Sequence, residues 1–170
     1  MGNLFINSLV GTLMMGNDVI DSFSGEYRFL SNFYPSPIRV DGIVYPTVEH
    51  AFQAAKTPDA GMKQKIADTS SPARAKQLGR KVKLRKDWEA VKVEIMKELV
   101  LLKFREHPDL AERLLETGDT KLVEGNTWND CFWGVSGGRG KNHLGKVLMK
   151  VRDLLIEETK ESAGTRTAEE

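Results

Sequence analysis

The sequence is short of the residues that build covalent and metal staples. It has one cysteine, Cys131, and three histidines, His50, His107 and His143. A lone cysteine excludes an internal disulfide, and so few thiols and imidazoles argue against a structural zinc site. No motif calls for a metal or a cofactor, and a reducing, cytoplasmic setting fits best. Excess charge of either sign is missing too. The 25 basic and 24 acidic residues leave a net charge of +1, which argues against a generic nucleic-acid coat but leaves room for a local basic patch. Long apolar runs are also lacking. Residues 1–16 are apolar, yet they carry no basic leader segment and are too short to cross a bilayer, so no membrane partner is expected. Gly2 opens a myristoylation-like pattern that fails at Ile6, where Ser or Thr is required. Met14 and Met15 offer alternative starts. Residues 1–21 are read as an N-terminal extension, with 1–16 poorly ordered or loosely packed.

What remains is ordinary globular material. The chain has 170 residues, 40% of them hydrophobic and 29% charged, enough for one domain with a sizeable core. No internal repeat or interior linker divides it. The run Phe23 to Phe33 is aromatic without helical period. Ile38-Arg39-Val40 and Ile43-Val44-Tyr45 flank Asp41-Gly42, the signature of a two-residue hairpin. Thr47 is placed to cap a helix that Pro58 ends. Asp59 caps a second, and Ser71-Pro72 opens a third that Gly79 stops. Arg80 to Arg85 is a basic link or short strand. Asp87 is expected to cap the longest helix, with Trp88, Val91, Ile95, Leu99 and Leu102 as its buried stripe, broken at His107-Pro108. Leu110 to Leu115 form another helix, closed by Gly118. Lys121 to Glu124 is a strand or turn, and Leu144 to Leu155 form the last helix. These elements predict a mainly α fold with minor β, an α+β single domain over residues 22–156 with an N-terminal hairpin. The charged, small-residue stretch 157–170 is expected to be a disordered tail.

Chemistry concentrates in Tyr45 to Lys56. Val48, Ala51, Phe52 and Ala55 follow helical spacing and should face the core. Glu49, Gln53 and Lys56 fall on a separate face, where an acid, an amide and an amine could line a cleft. Taken alone, such a row also fits a solvated face. Ser136 to Asn142 is a glycine-rich loop before a helix, suited to anions. It is neither a P-loop, since Val135 and Asn142 break that pattern, nor G-x-G-x-x-G, since His143 stands at the third glycine. Arg139 and Lys141 favour phosphate; a plain surface loop is the alternative. Trp128 and Trp133 flank Asp130, placed to stack on a planar ligand or to plug the core. Trp88 reads as a helix anchor, His50 as a polar partner near the hairpin, and Cys131 as a structural thiol.

Together these stretches resemble a known family. The matching residues are Phe23-Ser24-Gly25, Leu30-Ser31-Asn32-Phe33, the run Tyr45 to Lys56, Ser71 to Arg80, and Asp87-Trp88. Gly125-Asn126-Thr127-Trp128, Phe132-Trp133-Gly134 and Asn142-His143-Leu144-Gly145 complete the set. The chain is similar over Ser22 to Leu155 to the NADAR family, the YbiA-like N-glycosidases. The resemblance implies a compact, mostly helical fold and hydrolysis of an N-glycosidic bond at ribose C1′. The implied substrates are phosphorylated ribosyl intermediates of early riboflavin synthesis, or ADP-ribose on a base such as guanine, including ADP-ribosylated nucleic acid. Glu49 would then orient water or stabilise charge at C1′, with Asp130 a second carboxylate. Lys56 would hold phosphate or attack C1′ to give a Schiff base. Asn32, Gln53, Trp88, Trp128, Trp133, Arg139, Lys141 and Asn142 are the candidate substrate-binding residues. A non-catalytic ADP-ribose or nucleotide-binding module and a purely structural helical protein stay as alternatives.

Overall fold

Helix α1, Val48–Ala55, lies at the centre of the computed structural model, which describes residues 19–166. Thr47 caps it as its spacing predicts, accepting the amide of His50 at 3.3 Å. The hairpin that delivers the chain to it pairs β2, Ile38–Val40, with antiparallel β3, Ile43–Tyr45. Asp41 and Gly42 both have positive φ, 49° and 82°, the geometry of the tight turn expected of Asp-Gly.

Around α1 pack α2, Ala60–Ala67, α3, Pro72–Gly79, and α4, Trp88–Glu106. Asp59 and Ser71 cap α2 and α3 through the amides of Met62 and Arg74. The basic link between α3 and α4 is turn, not strand. Asp87 stands at the start of α4 but makes no cap bond; its carboxylate is held by Arg85 at 2.6 and 2.9 Å instead. The buried face of α4 also departs from expectation. Trp88 and Leu99 are buried, but Val91, Ile95 and Leu102 are half-buried, and Met96, Val100, Lys103 and Phe104 replace them. Lys103 is only 1% exposed, and its Nζ donates to the carbonyls of Phe29 and Ser31 at 2.5 and 3.2 Å. Those carbonyls lie at the end of a 3-10 helix, Gly25–Leu30, so the lysine satisfies acceptors that a short helix leaves open.

α5, Pro108–Glu116, follows directly, and Gly118 leaves it with φ of 52°. α6, His143–Arg166, packs along α4 and is the longest helix, in place of α4. It runs ten residues past 156 (166 − 156), so residues 157–166 continue a helix where a disordered tail was expected. Residues 167–170 lie outside the described residues. So do residues 1–18 of the expected extension, but Val19–Ile20 form strand β1, parallel to β4, Lys121–Leu122. Ile20 is buried, which ties this segment to the core. A second parallel pair joins β5, Gly125–Asn126, to β6, Val135–Ser136. The architecture is thus mainly helical with short β pieces, as predicted. Among the described residues, no helix is long and apolar enough to cross a membrane.

Candidate active site

The polar row of α1 forms one wall of a cavity of about 680 Å³, closed on the other side by the loop from Glu124 to Trp133. Glu49 and Gln53 are 6% and 3% exposed, and Lys56 is half-buried. Behind them Val48, Ala51 and Phe52 are buried and Ala55 is half-buried, so the split of faces read from the helical period holds. Gln53 Nε2 donates to Glu49 Oε1 at 2.7 Å. The other amide atom, Gln53 Oε1, is buried with no hydrogen-bond partner among the described residues. Burial raises the Glu49 carboxyl above its usual range, opposed by the Gln53 bond and the charges of Lys76 and Lys56. Burial lowers the Lys56 ammonium, against the pull of Glu49.

Asn32 reaches the same cleft from the loop after the 3-10 helix. Its carbonyl accepts the Glu49 amide at 3.1 Å, and its Nδ2 donates to Met96 Sδ at 3.3 Å. Asp130 also lines the cleft. Its Oδ1 accepts the amides of Phe132 and Trp133 at 3.1 and 2.8 Å, which fixes the loop on which both tryptophans ride. Trp133 stacks edge-on against Phe52 at 5.3 Å, while Trp128 stands 65% exposed at the rim.

Other candidates lie elsewhere. Trp88 sits beneath the cleft as an anchor, 5.0 Å from Phe52, with Lys56 Nζ 5.9 Å from its ring. Arg139 and Lys141 are exposed and do not line the cleft. Four amides of the glycine-rich loop are used within the protein. Ser136 and Arg139 exchange backbone bonds, and the amides of Lys141 and Asn142 go to the carbonyls of Cys131 and Gly134. The loop lies off the cleft, so its expected place beside the polar row of α1 is corrected. Lys141 instead lies over the Phe132 ring at 5.6 Å. Asn142 is buried and clamps backbone, accepting from the Glu124 amide and donating to the Leu122 carbonyl. Cys131 is exposed, not the structural thiol expected. His50 is buried against Thr47 Oγ1 and the Thr69 carbonyl, a structural partner.

Sequence reasoning missed two charged groups of this cleft, Lys76 and Glu124. Lys76 stands on α3, a helix read only for its Ser71-Pro72 start and Gly79 stop, with no face assigned to the cleft. Glu124 ends an ambiguous strand, and only tertiary pairing turns it inward. Among the described residues no cluster of metal-ligating side chains forms.

Residues 21–156 match the NADAR domain model. The N-glycosidase YbiA of Escherichia coli K12 is 45% identical over 137 residues, covering 79% of this chain and 85% of that protein. A riboflavin biosynthesis protein of Vibrio vulnificus is 42% identical over 135 residues, 78% of this chain and 36% of that protein. The NMR structure of E. coli YbiA superimposes with a TM-score of 0.78 at 43% identity, covering 86% of this chain and 90% of the other.

Proposed function

The chain belongs to the NADAR domain family, and on that premise we propose that its cleft cleaves the N-glycosidic bond of a phosphorylated ribosyl base from early riboflavin synthesis. The chemistry is that of a hydrolase acting on N-glycosyl bonds, the activity its YbiA relatives are named for. The observation that carries the reading is the buried row of Glu49, Gln53 and Lys56 facing a cavity large enough for a nucleotide-sized ligand. The Vibrio relative's name supports the substrate class.

Breaking the bond leaves positive charge at C1′ and an electron pair on the base nitrogen. Glu49 faces the sugar as the group that stabilises that charge and orients water. Lys56 and Lys76 supply the positive charge that a substrate phosphate needs. Lys56, its ammonium destabilised by burial, also suits attack on C1′. Trp133 offers a stacking surface for the base. The exposed Trp128 and Phe33 at the rim favour a second reading, a larger ADP-ribosyl substrate carried on guanine.

The test is direct. The protein is incubated with a ribosylaminopyrimidine phosphate and, separately, with DNA carrying ADP-ribosylated guanine, and products are read by mass spectrometry. Release of ribose phosphate from the first is expected. Release of ADP-ribose alone moves the assignment to the second substrate. Binding without turnover of either leaves a binding module and rejects the reading.

A further inference from the structure

We propose that Glu124 is a further catalytic residue of this cleft, the acid that protonates the departing base; the role rests on the N-glycosidase reading above. Three carboxyl groups line the cavity, those of Glu49, Glu124 and Asp130, and their surroundings divide the work. Glu49 is bonded to Gln53 and faces Lys56 and Lys76. Asp130 Oδ1 accepts two backbone amides, which ties it to the shape of its own loop. Glu124 shares only the charge of Lys76 and has no such hydrogen bond. Its Oε2 is buried with no hydrogen-bond partner among the described residues. An unpaired carboxylate oxygen out of water is costly, and a proton relieves it.

The backbone that aims this side chain is fixed on each side. The Glu124 amide donates to Asn142 Oδ1 at 3.0 Å, and its carbonyl accepts the Val135 amide at 2.8 Å. Gly134 packs on the same carbonyl so closely that a Cβ there would sit 2.2 Å from it. A group held this firmly at a cavity wall is placed for transfer rather than for solvation. The titratable groups that face it are Asp130 on its own loop, Lys76 on α3 and Glu49 on α1. Burial, then the negative charge of Asp130, pushes the Glu124 carboxyl up to about 7, with Lys76 opposing and Glu49 adding. Burial raises the carboxyls of both Glu49 and Glu124. What separates them is that Glu49 has the Gln53 amide to hold a negative charge while Glu124 Oε2 has no hydrogen-bond partner among the described residues, a difference that suits a charge-stabilising partner and an acid.

The step balances. The C1′–N bond breaks and its electron pair stays on the base nitrogen. The Glu124 proton moves to the base, and C1′ takes the oxygen of water directly, or after passage through Lys56. The proton lost by water goes to the Glu49 carboxylate and exchanges through solvent, which reprotonates Glu124. The products are the free base and the ribosyl hydroxyl.

The experiment compares two substrates, a ribosylaminopyrimidine phosphate and 4-nitrophenyl ribofuranoside 5-phosphate, whose phenolate leaves without a proton. Glu124→Gln keeps shape and removes the transferable proton. It should slow the first substrate about a hundredfold or more and leave the second within about threefold of wild type. Wild-type rates on both substrates, or equal losses on both in a variant with an unchanged thermal midpoint, overturn the proposal. Should Glu124→Gln not fold, the wild-type profile from about pH 5.5 to about 8.5 decides. Activity should fall as pH rises through about 7 on the first substrate and not on the second; matching profiles on the two substrates overturn it. Failure of wild type to cleave either of these substrates or the ADP-ribosylated guanine DNA removes the N-glycosidase reading itself, a different outcome from a dispensable Glu124.

Discussion

Lys56 is the side chain whose behaviour separates two mechanisms. If its amine bonds to C1′, borohydride added during turnover should trap a sugar adduct that peptide mapping places on Lys56, and Lys56→Arg should abolish it while keeping the charge. If it only holds phosphate, Lys56→Arg should keep much of the activity and no adduct should form. Glu49→Gln should bind substrate yet turn it over roughly a hundredfold more slowly in either case; near wild-type turnover would sink the role given to Glu49. A different kind of expectation attaches to Lys103. Burial pushes its ammonium down to about 7 from 10.5. Between those values the unfolded chain keeps a proton that the folded chain has lost, so this lysine makes stability rise with pH across that window. Below about 7 the folded protein must carry the charge inside, at a cost. Urea titrations at about pH 7 and about pH 9.5 should therefore show wild type gaining stability, and Lys103→Met losing most of that gain. Equal pH slopes for the two proteins would refute the assignment.

Between elements, the close approach of α1 and α3 sets the geometry of the cleft. A Cβ at Gly79 would meet Gln53 Oε1 at 1.9 Å, its Cδ at 2.8 Å and its Cβ at 2.9 Å. Gly79→Ala must push Gln53 aside or part the helices, and Gln53 is the residue that holds Glu49. The change should cost about 1–3 kcal/mol and lower kcat by roughly tenfold or more. Calorimetry with steady-state kinetics checks both, and an unaltered melting temperature with unaltered kcat would show that the contact is slack. This contact also marks where reading the sequence succeeds and where it stops. Caps at Thr47, Asp59 and Ser71 and the Asp41-Gly42 turn obey local rules, and each forms as expected. The row on α1 follows from period alone. The stripe of α4 did not, because two apolar registers compete there and the true one contains Lys103. The loop lysine and arginine stand off the cleft because tertiary pairing, not composition, decides where a glycine-rich loop sits. Glu124 was hidden because its direction depends on two-residue strands on either side of it, one of them paired with a segment about a hundred positions away.

At the scale of the whole molecule, the two walls of the cleft come from different parts of the chain. One is built by residues near in sequence, α1 through α4. The other requires β1 to reach β4, where Val19 pairs with Lys121, 102 positions on (121 − 19). Next to that pair, the Asp21 carbonyl lies 2.1 Å from where a Cβ on Gly125 would stand, so the segment after β1 and the loop interlock without room for a side chain. Closing so long a span is entropically slow compared with forming neighbouring helices. Order of assembly follows from this. In refolding from urea, the far-ultraviolet helix signal should recover in an earlier phase than catalytic competence, and shortening the chain before Asp21 should slow only the later phase. Simultaneous return of both signals would mean that the β1–β4 closure is not the late step. A chain emerging from the ribosome would accordingly hold Glu49 in a formed helix, with Lys56 at its end, before the wall opposite them exists, an idle half-site completed only when β1 is recaptured.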